Sequence, residues 1–211
     1  ATPWGDELFV MGNSDLSAVT MADLFAPKIV SKATIRIESP PTNWISKDRV
    51  DAAARRVLVA WRANADRILF PWNPNSGPDP TMLAWTGLME TLSGRRFKGE
   101  IPVSASARCW VAGDSDESHL VVWSELHGSA ELVRVPVGEQ PVEVVDLEGR
   151  RRWVTPRGGM LELVVGSTPI VIHDVSTTTV EIAARMRFEP EVMDLATGPQ
   201  NVHLLFHNPT S

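Results

Sequence analysis

Cysteine is almost absent: Cys109 is the only one in 211 residues. A single thiol permits no intrachain disulfide and no Cys-rich zinc site. Basic blocks are missing as well. The chain carries 20 Lys and Arg against 26 Asp and Glu, a formal charge of −6. An acidic chain of this kind is a poor partner for nucleic acid or for an anionic membrane surface. No apolar run approaches the roughly 18–20 residues that span a bilayer as a helix. The opening Ala1-Thr2-Pro3-Trp4-Gly5 has neither the basic nor the apolar stretch of a signal peptide, and there is no initiator Met. The chain therefore reads as a processed product, an excised domain or a fragment. Internal repeats and low-complexity tracts are also lacking.

Several catalytic and ligand-binding patterns are missing too. Gly158-Gly159 reads as a hairpin turn and not as a phosphate cradle. There is no G-x-S-x-G elbow. His203 and His207 are four apart, but the segment reads as strand, so they do not share a helical face as a zinc pair would. No cofactor and no metal is expected. Cys109, between Arg108 and Trp110 in a strand-like run, reads as a buried inert thiol.

What is present fits a folded chain: 43% apolar and 22% charged residues are ordinary globular values, which rules out wholesale disorder. There are 8 Trp and no Tyr. Trp faces suit stacking on sugar rings, although several are expected in the core. The 16 Pro point to many loops and strand ends.

The texture changes near residue 100. Before it, Leu8-Phe9-Val10-Met11 reads as a short buried strand and Ala33 to Ile37 as extended chain. Ser46 to about Ala63 has a helical stripe at Val50, Ala53, Ala54, Val57, Leu58 and Trp61, with Ser46 as N-cap and its arginines on a solvated face. Arg67 to Phe70 reads as a strand. A helix from Asp79-Pro80 to Ser93 follows, capped by Asp79 and closed by Gly94. This is βαβα, the unit of a parallel sheet. After residue 97 the candidates are strands: Val103 to Val111, Leu120 to Ser124, Ala130 to Val135, Val142 to Asp146, Arg152 to Val154, Leu161 to Val165 and Ile170 to Ile172. Short strands at regular spacing predict an antiparallel β-sandwich. Val180 to Ala183, Arg187-Phe188 and Val202 to Phe206 read as further strands.

Residues 1–96 supply only two or three of the roughly 30-residue units of a (β/α)8 barrel. Either they form a small α/β layer on the sandwich, or they are the end of a barrel. The order of features resembles the C-terminal end of a clan-A glycoside hydrolase. Arg67-Ile68-Leu69-Phe70-Pro71-Trp72-Asn73 corresponds to a last barrel strand. Asp79-Pro80-Thr81-Met82-Leu83-Ala84-Trp85 through Leu92-Ser93-Gly94-Arg95-Arg96-Phe97 corresponds to a last helix. Val142 to Arg150, Gly159 to Val165 and Pro169 to Ile172 look like the sandwich fused behind such barrels. The resemblance implies α/β plus all-β structure, the C-terminal βα units of a (β/α)8 barrel followed by an antiparallel β-sandwich. Residues 1–96 would be the barrel end, 97–175 the sandwich and 176–211 the start of a further Ig-like β module.

The same resemblance implies the chemistry. Two carboxyl groups flank the scissile glycosidic bond, about 5–5.5 Å apart in retaining enzymes. In these barrels the two glutamates end the fourth and seventh strands. If Arg67 to Phe70 is strand eight, Ala33 to Ile37 is strand seven, and Glu38 at its end is the candidate nucleophile; Asp6 or Glu7 is a lesser alternative. The acid/base partner would lie upstream, so the chain alone would be inactive. Trp72 would stack on a sugar ring, Asn73 would hydrogen-bond a hydroxyl, and Trp44 would line the cleft. The implied partner is a poly- or oligosaccharide, with no nucleic acid or membrane partner, and the implied location is extracellular or periplasmic. The alternative is a non-catalytic β-sandwich module that binds carbohydrate or protein.

Overall fold

The computed structural model describes residues 7–11, 33–37, 40, 42–65, 67–70, 79–114, 116–126, 128–189 and 203–206. Thr34, Ile35 and Ile37 are β-branched, a composition that favours extended backbone. They lie in strand β2 (Ala33–Ile37), which sits between β1 (Glu7–Met11) and β3 (Arg67–Leu69) in a parallel sheet of order β1-β2-β3. Parallel neighbours need a crossover. Between β2 and β3 it is helix α1 (Ser46–Arg62). Side chains alternate along a strand. Ile35 and Ile37 point into the core shared with α1, so Thr34 and Arg36 belong to the opposite face.

Helix α1 keeps the expected stripe but buries more. Val59 and Ala60 join Val57, Leu58 and Trp61 in the core, because the helix has protein on two sides. Ser46 is not its cap. Ile45 holds that position in extended conformation, with no side-chain capping bond. The arginines are also less solvated than expected. Arg49 pairs with Asp79 at 2.8 Å, and the Arg62 guanidinium lies over the rings of Phe97 and Trp110. Helix α2 (Pro80–Leu92) begins as the sequence implies. The Asp79 carboxylate accepts from the Thr81 N–H at 2.9 Å, Pro80 opens the helix, and Gly94 follows the end at φ +75°.

The second half holds β4 (Arg96–Glu100), β5 (Ala107–Gly113), β6 (Ser118–Ser124), β7 (Glu131–Pro136), β8 (Val142–Asp146), β9 (Arg151–Val154), β10 (Met160–Val165) and β11 (Ile170–His173). Six of these form an antiparallel sheet of order β4-β5-β6-β11-β8-β9, and β7 pairs with β10. The expected antiparallel, mixed α and β character is therefore present. Cys109, Val111, Leu120, Val122 and Ile172 face Val133, Val135, Leu161 and Leu163 of the smaller sheet. The alternate residues Trp110, Ala112, Val121, Trp123 and Val171 face α1 and α2. The six-stranded sheet is thus covered on both sides, which explains the near-continuous apolar runs of β5 and β6.

Two expectations fail here. The stretch from Val103 to Ser106 precedes β5 as a turn, because Ser104 and Ser106 hydroxyls are tied to the Glu131 carboxylate. Val180 to Ala183 is not strand but part of helix α3 (Thr177–Arg185), capped by Ser176, with Val180 in the core between the antiparallel sheets. A hairpin of β12 (Met186–Glu189) and β13 (His203–Phe206) follows.

Candidate functional site

The three parallel strands end together. Their register pairs Met11 with Ile37, and Arg36 with Leu69. Glu38 directly follows β2, and Trp72 and Asn73 follow β3, but all three lie outside the described residues. Trp44 is described. It sits in the turn ahead of α1 and is 41% exposed, beside Ile45 at 67%. Two large apolar side chains therefore stand free at the helix entrance. The Arg49–Asp79 ion pair holds the first turns of α1 and α2 side by side at this end.

Behind this edge, α1 is locked to the antiparallel sheets. Asp51 is 2% exposed. Its carboxylate accepts from Lys47 Nζ at 2.9 Å and from the hydroxyls of Ser167 and Thr168 in the β10–β11 connection. Ser167 Oγ in turn accepts from Lys47 Nζ at 2.7 Å. A buried carboxylate is tolerated because its lone pairs are met by donors. No sequence pattern pointed to this cluster, since 116 residues separate Asp51 from Ser167.

A polar cleft of about 590 Å3 opens at the far end of α2, between its last turns, the β5–β6 hairpin, the β8–β9 hairpin and the start of α3. His119 and His173 meet there, Nδ1 to Nδ1 at 2.9 Å. The antiparallel register of β6 and β11 brings them opposite each other, one step beyond the Leu120–Ile172 pair. Burial, with help from the charge of Arg95, pushes the His119 pKa down to about 4, and burial also lowers that of His173. Ion pairs flank the histidines: Arg95 with Glu117 at 3.1 Å and Arg151 with Glu143 at 3.4 Å. Among the described residues no group of three or more His, Cys, Asp or Glu is arranged to hold a metal ion. Cys109 is buried, and burial pushes its thiol well above the ordinary range, as suits an inert side chain. No described helix is long and apolar enough to cross a membrane.

No family model matches the sequence, and no curated protein matches it. Solved structures do. A family 39 glycoside hydrolase from the gut symbiont Bacteroides cellulosilyticus WH2 superimposes with a TM-score of 0.57 at 16% identity, over 75% of this chain and 38% of that one. The fold is glycoside-hydrolase-like. A GH30 endoxylanase from Clostridium papyrosolvens C71 gives 0.58 at 7% identity, over 81% of this chain and 49% of its own. The chain therefore spans less than half the length of either enzyme. Identities this low speak for the fold alone.

Proposed function

We infer that this chain is the C-terminal part of a glycoside hydrolase, comprising the last βα units of its barrel, the antiparallel sandwich behind them and the beginning of a further β module. The observation that carries the reading is the parallel order β1-β2-β3, with α1 as the crossover and α1 and α2 packed against a six-stranded antiparallel sheet. Similarity to two glycoside hydrolase folds supports it. In a closed barrel the face turned from the helices is the interior. Thr34 and Arg36 have that parity, and counting two further residues along the sequence reaches Glu38.

In this reading Glu38 is the nucleophile, which attacks the anomeric carbon while a second carboxylic acid, from a strand outside this chain, protonates the leaving oxygen. Trp72 and Trp44 offer faces for sugar rings, and Asn73 binds a hydroxyl. The chain alone then lacks half of the carboxylate pair and turns over no substrate. The substrate is a poly- or oligosaccharide, and an extracellular or periplasmic location goes with it.

The test is turnover of a panel of aryl glycosides and polysaccharides by the polypeptide of the whole reading frame. Glu38→Gln is expected to remove at least about 1000-fold of kcat, the scale seen when a catalytic nucleophile is lost. Unchanged turnover in that variant removes Glu38 from the mechanism, and a reading frame without upstream barrel strands removes the hydrolase reading.

A further inference from the structure

The outer strand of the six-stranded sheet carries a residue that the barrel reading does not use. Trp153, in β9, is 64% exposed and is the most exposed tryptophan among the described residues. Single exposed apolar side chains are common on protein surfaces. Trp153 differs in what stands beside it on the same face of the sheet.

Residues directly opposite each other in an antiparallel pair share a face. The register sets Trp153 opposite Glu143 and Glu143 opposite His173. Trp153, Glu143 and His173 therefore form one row across β9, β8 and β11. Arg151, two residues from Trp153, has the same parity and pairs with Glu143 at 3.4 Å. Val171, two residues from His173, packs in the core shared with the helices, so the row lies on the helix side of the sheet. The helices cover only part of it. Glu143, Arg151 and His173 line the polar cleft, and Trp153 stands open at the rim beyond them.

The surroundings set the chemistry of a ligand. An indole face is flat and electron-rich, which suits the C–H face of a pyranose ring, while the ring's hydroxyls point outward to polar groups. Glu143 accepts, Arg151 donates, and His173, whose Nδ1 is engaged by His119, has Nε2 left for a hydroxyl. Glu143 and Arg151 cancel each other's charge, and burial lowers the His173 pKa and keeps the ring neutral. Asp146 and Asp174 stand close by in the cleft and repel an anion. Neighbouring strands lie 4.7–4.9 Å apart, so the row from Trp153 to His173 is about 10 Å long, which a few linked sugar rings span. A pairing strand fits less well. β9 has four residues, and Arg151 and Arg152 lie side by side in it. Charged residues on an edge discourage strand addition, and pairing β9 with its own copy crowds the arginines of both into one short ladder.

We propose that the β8–β9 end of the sheet is a saccharide-binding surface, on which a neutral oligosaccharide stacks one ring on Trp153 and hydrogen-bonds Glu143, Arg151 and His173 through the next. The surface holds carbohydrate without cleaving it, and it stands whether or not Glu38 acts in catalysis.

The experiment is nitrogen-15 NMR of the indole N–H groups in the 211-residue chain, with the Trp153 signal assigned by its loss in Trp153→Phe. The probes are xylotriose, cellotriose and maltotriose, with glycerol as a control that has hydroxyls but no ring. The expected result is a saturable shift of the Trp153 indole with at least one trisaccharide and none with glycerol. Read from the His173 ring nitrogens, Trp153→Ala is expected to weaken binding at least about tenfold, the scale of one lost aromatic stacking contact. Trp153→Phe should recover part of that loss, and Glu143→Gln should weaken binding a few-fold. Trp44→Ala leaves it unchanged, which separates this surface from the barrel face. Absence of a shift with all three trisaccharides overturns the proposal, as does an equal response to glycerol or full affinity in Trp153→Ala. A Trp153 shift that depends on protein concentration without sugar also overturns it, because a second copy then covers the indole.

Discussion

Replacing Asp51 by alanine removes the carboxylate that accepts from Ser167 and Thr168 of the β10–β11 connection and from Lys47 of its own helix. The cost can be built from the partners. Lys47 is 59% exposed in its side chain and recovers water, so its loss contributes little. Ser167 is 3% exposed and is left without its acceptor, at about 1–3 kcal/mol. Thr168 is partly buried and loses a hydrogen bond to a charged group, about 1.5–3 kcal/mol less what solvent returns. The total is ~3 kcal/mol, a large share of the 5–15 kcal/mol typical of a domain. Urea denaturation followed by Trp fluorescence measures it, and an unchanged m-value shows that the two layers still unfold together. The double variant with Ser167→Ala should cost less than the sum of the singles, with a coupling of about 1–2 kcal/mol. A loss below ~1 kcal/mol with no coupling refutes the argument that this cluster locks the layers.

Trp110 is fully buried and packs edge-to-face on Trp123 at 4.8 Å and on Phe97 at 5.6 Å, so Trp110→Ala should cost about 3–5 kcal/mol in thermal or urea unfolding. Gly138 has φ +95°, and a Cβ there would stand 2.6 Å from Ser176 Cβ, the cap of α3. Gly138→Ala should therefore cost at least about 2 kcal/mol, whereas Gly94→Ala, at φ +75° with open space around it, should cost only about 1 kcal/mol. Stability should fall with acid. His119 is held below its unfolded value of about 6.5, down to about 4, so folding opposes its protonation. The contribution is intact above about pH 6.5, is lost as pH falls from there to about 4, and amounts to ~3 kcal/mol, with His173 acting in the same direction. Urea midpoints across that range should drop less steeply in His119→Gln, and an identical pH slope in the variant contradicts the assignment.

Much of the fold was legible where one local rule dominated. The strand bounds of Ala33–Ile37 and Val142–Asp146 follow from compact β-branched runs. The start of α2 follows from Asp79-Pro80, because both residues act on the first turn. Alternation at Leu161, Leu163 and Val165 gives the buried face of β10. The failures lie where tertiary contacts decide. β4, with its charged residues and Gly99, has no apolar pattern; it is a strand because it pairs with β5 through a bulge and because Lys98 reaches Glu181 on α3. Val180 to Ala183 is too short to separate period 2 from period 3.6, and the three threonines ahead of it weaken helix propensity; the Ser176 cap decides. The His119–His173 pair depends on a register between strands 54 residues apart, which no local spacing encodes. Of the four site residues taken from the family resemblance, only Trp44 falls among the described residues, where it is exposed.

In the proposed function, β1, β2 and β3 are consecutive staves of a larger closed barrel. Amide hydrogen exchange tests it directly, by comparing β1 and β3 in the 211-residue chain and in the polypeptide of the whole reading frame. Their outer edges have no strand partner among the described residues, so fast exchange is expected there in this chain and strong protection in the longer one. Equal protection of both strands in the two polypeptides would contradict it.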